Sequence, residues 1–458
     1  MRRGAGSVER GCTARATDRR TRPARGCGGA AGCASRGSSR QFSKFQYDQY
    51  LHVRYARCTA RTPRADAPTD QHKSSLLCAS SEYSRERGTS TWRRPAAATG
   101  LRQRVPAAMA ATPDYPLDLG AGHVRACGGN EDAQRWFSRA MLWAHGFNFS
   151  EATQCCRRAF AADPTCAMAR WGEALCMGPN YNDPVLDDQR AASALHAAQD
   201  AVRLLHASSA EVLAAVGDTS AALIRALPAR LGPSTTSREE QDAAYASAMA
   251  AVYDSYGDSD ADVAFAYADA LMQLNPWRLW TGADTAIIEG DFECQRPSDD
   301  NTSLLIVVLE KGLSLAPRHA GLCHLYVHAL EMGPRSLLRG AQLEAARDCI
   351  RDGVIPDSGH LIHMASHIDI QLGEYERTIR CNMEAVQADL KFKARSGVAA
   401  HRPGVSTDGS GPAMYDVYCA HNYHFVIYGA MFSGTSSRSR TLFVFGNRKP
   451  TVDLLRLN

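Results

Sequence analysis

Between about Asn130 and about Gly434, apolar residues recur at spacings of three and four, and no run alternates as a half-buried strand would. The stretch "DAQRWFSRAMLWAHGFNFSEATQCCRRAFAADP" divides into two helical segments. Trp136, Phe137, Met141 and Leu142 form a packed stripe on the first, and Gly146 breaks it. The second runs from Ser150 as N-cap to the stop at Asp163-Pro164. "CAMARWGEALCMGPN" begins a third helix, which ends at Gly178-Pro179.

This unit of helix, short turn, helix and stop returns along the chain with decay. "AASALHAAQDAVRLL" and "SSAEVLAAVGDTSAALIRALP" each read as a helix, and "AYASAMAAVYDSYGDSDADVAFAYADALMQLNP" as a pair. "NTSLLIVVLEKGLSLAP" is a helix ended by Pro317; "AGLCHLYVHALEMG", "RGAQLEAARDCI", "HLIHMASHIDIQLGEYE" and "YERTIRCNMEAVQAD" follow. Recurrence at about 34 to 40 residues predicts a stacked helical array.

Two units carry a more specific pattern, "GFNFSEATQCCRRAFAADP" and "GEYERTIRCNMEAVQAD". In each, an aromatic (Phe149, Tyr375) precedes a small or β-branched residue by three (Ala152, Thr378). Alanine follows seven later (Ala159, Ala385) and aspartate four beyond that (Asp163, Asp389). On these residues the chain resembles tetratricopeptide repeat (TPR) proteins over roughly residues 130–434. With "HLYVHALE", "GHLIHMASHI" and "HNYHF" it resembles a branch of that family with histidine-rich repeat helices. The resemblance implies an all-α fold, a right-handed α-α superhelix. Its concave groove would be lined by the second, fifth and ninth residues of each unit's first helix. The implied organisation is a disordered Arg-rich tail at 1–108, a TPR-like repeat domain at 109–434, and an irregular, truncated tail at 435–458. "TSSRSRTLFVFGNRKPTVDLLRLN" lacks the amphipathic helix that a complete last unit requires.

Registered by the Gly and Pro landmarks, His360, His363 and His367 fall at the second, fifth and ninth positions of one unit. His324 and His328 fall at the fifth and ninth of another, with Glu331 one turn later, and His421 and His424 at the second and fifth of a third. Seven of the 15 histidines thus aim at one face. Residues three or four apart on a helix have Cβ atoms about 5–6 Å apart, and packed helices lie about 8–10 Å apart. His-x-x-His and His-x-x-x-His pairs can therefore share a transition metal such as zinc, copper or iron. Glu331 would add a carboxylate ligand, act as a base or hold a spare ring nitrogen. The plainer expectation is half-buried histidines bonded to neighbours. With Tyr326, Tyr423 and Tyr428, they would then line a groove for a protein partner, an acidic peptide or a small ligand. Two functions follow: a binding module or scaffold acting through that groove, as the resemblance favours, or a metal-binding, metal-dependent enzyme. His145, His196, His206 and His319 read as isolated, structural or solvated.

Charge separates the ends of the 458-residue chain. Residues 1–108 hold 22 Lys+Arg, 20 of them Arg, against 7 Asp+Glu, whereas the rest holds 30 against 41. The basic stretch has few aliphatics and no sustained period. It reads as translated sequence upstream of a start at Met109, as a transit peptide, or as a phosphate-contacting tail. Its arginines are not interleaved with aromatics, which argues against nucleic acid. Cytoplasmic residence is expected, or an organelle if the basic stretch is a transit peptide. The 15 cysteines are scattered without a C-x-x-C pair and read as free thiols. "LLIVVL" at 304–309 is too short to span a membrane. Zincin, phosphate-loop and nucleophile-elbow motifs are absent. "PNYN" (179–182) reads as a helix-terminating turn, and Trp277 and Trp280 in "NPWRLW" as a packed corner.

Overall fold

A computed structural model describes residues 114–232, 235–281, 295–395 and 414–434. The basic stretch 1–108 and the tail 435–458 lie outside them. The described residues are mostly helical with almost no strand, as the sequence pattern predicts.

The first helices follow local signals. α1 (Glu131–His145) starts where the Asn130 side chain accepts from Ala133 N, carries Glu131 and Asp132 in its first turn, and stops at Gly146. α2 (Phe149–Ala162) is capped by Asn148, whose side chain accepts from Glu151 N. The cap predicted at Ser150 is therefore displaced by two residues, because the chain turns sharply through Phe147 at φ 58. α3 (Ala167–Met177) ends at Gly178 and α4 spans Asp188–Ala207. The single helix predicted next is broken. α5 (Ala210–Val216) and α6 (Asp218–Ala226) meet at Gly217, whose φ of 78 suits glycine. α7 (Arg238–Tyr256) opens on a Ser237/Glu240 capping box and pairs with α8 (Ala261–Leu274). Among the described residues, a two-residue antiparallel ladder, Trp280–Thr281 with Arg296–Pro297, is the one departure from the expected absence of strands.

α9 (Asp300–Leu315) buries Leu305, Val308 and Leu309 and exposes Leu304 and Val307, so "LLIVVL" winds around an ordinary helix with one face in the core. Among the described residues no single helix is long and apolar enough to cross a membrane. α10 (Ala320–Leu330) differs from the rest in that every residue is buried. A helix apolar all round belongs in the interior, and α10 packs against α1, α8, α9, α11 (Ala341–Arg351) and α12 (Gly359–Met364). Gly321 permits this: a Cβ there would meet Phe265 at 2.6 Å and the His145 ring at 2.7 Å. α13 (Ser366–Leu372) follows α12 after a break at Ala365 that keeps helical dihedrals, so both share one face. α14 (Tyr375–Arg395) packs on both, and α15 (Met414–Phe432) packs on α12 and α14. The nine described cysteines are unpaired and buried.

Candidate metal centre

The imidazoles do not line an open face. His324, His328, His360, His363 and His367 are 0–5 % exposed and Glu331 is 1 % exposed, because α1, α8, α14 and α15 cover the side of α10, α12 and α13 that carries them. The structure gathers them into two sets. His324, His328 and His360 each offer a ring nitrogen within 4.8 Å of the others, and so do His363, His367 and His421. His421 is half-buried on α15. His424, three residues on, belongs to neither set; its ring centroid stands 6.4 Å from that of Tyr428.

Hydrogen-bond partners place the protons in the second set. Asn382 Nδ2 donates to the Thr378 carbonyl at 2.8 Å and to Ser366 Oγ at 2.9 Å, which turns its Oδ1 toward His363. His363 Nδ1, 2.6 Å from that oxygen, must therefore carry the proton. His367 Nδ1 forms an ion pair with Glu331 Oε2 at 2.5 Å, a contact that requires the proton to sit on Nδ1 although the N–H is not aligned as a hydrogen bond. Burial alone would raise the Glu331 pKa. His367 and His328 outweigh it and hold the carboxyl below the usual range, so it only accepts. With both Nδ1 atoms protonated, each Nε2 that holds no second proton is a bare lone pair, yet the two Nε2 atoms stand 2.7 Å apart. Two lone pairs at that distance repel unless a cation lies between them. Burial, then His367 and His421, push the His363 pKa well below its ordinary value; burial, then His367 and His424, do the same for His421. Phe425 walls the set, with centroids 4.7–4.8 Å from all three rings.

In the first set, His324 Nδ1 donates to the carbonyl of His145 at 2.7 Å, one of the carbonyls left open at the end of α1. His328 Nδ1 donates to Glu331 Oε1 at 2.8 Å. Glu331 thus holds one imidazole of each set. The Nε2 atoms of His324 and His328 and both nitrogens of His360 are buried without a hydrogen-bond partner. Burial is the leading cause that keeps all three rings neutral: it pushes His324 and His360 well below the ordinary value and lowers His328 against the pull of Glu331.

A third set, His123, Asp262 and His319, meets the same distance criterion. His319 Nδ1 caps α10 by accepting from Leu322 N at 3.1 Å, so its proton is on Nε2, which donates to Asp262 Oδ1 at 3.1 Å. His123 Nε2 reaches Asp262 Oδ2 at 3.0 Å. His145 and His319 are therefore not isolated, with centroids 4.6 Å apart. His196 and His206 are exposed, as expected of solvated residues.

Several neighbours escaped the sequence reading. Asn382 sits inside an ordinary-looking repeat helix, and Phe147 in a turn. "PNYN" is a turn, but it also delivers Tyr181 to within 5.2 Å of the His328 centroid and Asn182 Nδ2 to the Tyr418 hydroxyl at 3.2 Å. Tyr418 stacks on His360 at 3.9 Å. Trp280 is the packed corner expected, donating to the Ala329 carbonyl, whereas the Trp277 ring meets Tyr181 and His328. No protein-family model matches the chain, and no curated protein is significantly similar to it.

Proposed function

We propose that this chain is a helical metalloprotein that holds a transition-metal ion, zinc or a neighbouring late first-row ion, at His363, His367 and His421. The observation that carries it is the pair of Nε2 lone pairs 2.7 Å apart, with both Nδ1 protons committed elsewhere. A proton between the rings is the competing cation. The metal is favoured by the third imidazole, which a shared proton does not need, and by burial, which works against a charged ring at His363. Glu331 and Asn382 have the standard outer role, fixing tautomer and ring orientation. Metal–nitrogen bonds of about 2.0–2.1 Å in tetrahedral geometry set the nitrogens roughly 3.3 Å apart, so the two rings would part by roughly half an ångström. Three imidazoles leave a fourth position for water, whose acidity the ion would increase. The scaffold reading and the TPR-like superhelix rest on the succession of helical pairs. Burial takes His324, His328, His360, His363 and His367 off an open face, while His421 and His424 stay half-buried.

The test is elemental analysis of the full chain, purified without a histidine tag, beside a His363→Ala/His367→Ala variant. Near-stoichiometric metal that the variant lacks is the expected result. A wild-type chain free of metal after incubation with zinc, copper and iron salts and desalting would overturn the proposal.

A further inference from the structure

Building on that reading, the geometry points to a second, separate metal ion at His324, His328 and His360, tied to the first through the shared carboxylate of Glu331. Three features carry this. His324 and His328 each donate their Nδ1 proton outward, to the His145 carbonyl and to Glu331, which leaves Nε2 of both as a lone pair facing inward. Those two nitrogens and both of His360 are fully buried and find no hydrogen-bond partner. A buried polar atom left in that state is costly, because it has given up its water without gaining a partner. Four lie together here. One ion bound by three of these nitrogens removes most of that cost.

The surrounding backbone supports the same conclusion independently. Among the described residues only Phe147 and Trp277 are non-glycine with positive φ, 58 and 61. Such a residue is strained and persists where its surroundings over-determine it. Both rings end on this set. Phe147 lies 4.1 Å from the His324 centroid, 5.6 Å from His328 and 5.8 Å from His360, and Trp277 lies 5.9 Å from His328. With Tyr418 on His360 and Tyr181 beside His328, the set has an aromatic wall. The rings border the set, and three protein ligands would leave one position open. This is the chemistry of a divalent ion with an exchangeable ligand.

The experiment is equilibrium dialysis of the full metal-free chain against zinc chloride, with bound zinc counted per chain. Wild type is expected to hold two ions, His360→Ala one and His421→Ala one. Glu331→Gln, which can accept from only one of its two imidazoles, should weaken one of the two ions about 10–100-fold. One ion in wild type, lost in His421→Ala, would overturn the second site and leave the first standing. No ion in wild type would overturn both. The wild-type count decides the matter even if the His360→Ala chain fails to fold, which circular dichroism would show.

Discussion

Two sets of side chains in this molecule pass the same proximity test and mean different things. His123, Asp262 and His319 lie within 4.8 Å of one another, and so do His363, His367 and His421. In the first, donors face acceptors. His319 accepts the α10 N-terminal amide on one nitrogen and donates to Asp262 on the other, and the Asp262 carboxylate takes a hydrogen bond on each oxygen. Burial works against the charged carboxylate, but His123, His319 and Arg125 outweigh it and hold its pKa well below the ordinary value. In the second, both outward nitrogens are spent on acceptors and the inward nitrogens confront each other. The distances are alike in the two clusters; what differs is the placement of protons.

The comparison breaks most visibly in a His363→Ala/His367→Ala chain. It should lose the ion held with His421 altogether, whereas His123→Ala should keep it; metal analysis after desalting distinguishes them. Next in size is the response to acid. His324, His360, His363 and His421 are neutral in the fold and held well below 6.5. The unfolded chain takes up their protons first, so the stability they confer is present above pH 6.5 and is lost as pH falls through the folded values. The slope approaches about 1.4 kcal/mol per pH unit for each ring. Thermal melts of the metal-free chain should therefore fall steeply between pH 7 and 5, and saturating zinc should move that fall to lower pH. A flat melting temperature over that range would contradict the neutral, buried assignment.

Asn382→Ala removes the acceptor that fixes the His363 tautomer and should weaken zinc binding about 10–100-fold, read by competition with a chromophoric chelator. Asp262→Asn sharpens the contrast from the other side. It should change zinc affinity less than about two-fold while costing about 1–3 kcal/mol of stability, because His319 and His123 lose the carboxylate that faces both, whereas Arg125 keeps Asp260. If Asp262→Asn released metal as readily as Asn382→Ala, the division between the sets would be wrong.

Much of the scaffold was legible in the sequence because glycine and proline punctuate it. The stops at Gly146, Asp163-Pro164, Gly178 and Pro317 fall where the helices end. Helical periodicity also put His324 beside His328 and His363 beside His367, since spacings of four survive small errors of register. Whether the helices converge was a different matter. The burial of α10 against α1 joins residues about 180 positions apart, as in the His324 to His145 bond, and no local pattern announces it. The same spacing rule grouped His424 with His421, although α15 turns only His421 toward α12. Glu331 was noticed one turn past His328, but its hold on His367 depends on tertiary packing. Asn382 gave no signal, because a buried asparagine in a helix earns its meaning only from what it faces.

The most direct measurement is an anomalous difference map from crystals of the full chain, collected above the absorption edge of the metal found by elemental analysis. A peak about 2.0–2.1 Å from Nε2 of both His363 and His367, with the rings moved apart, is the expected result. Density free of any peak there, with the nitrogens still 2.7 Å apart, would mean that a shared proton is the cation and that this site holds no metal.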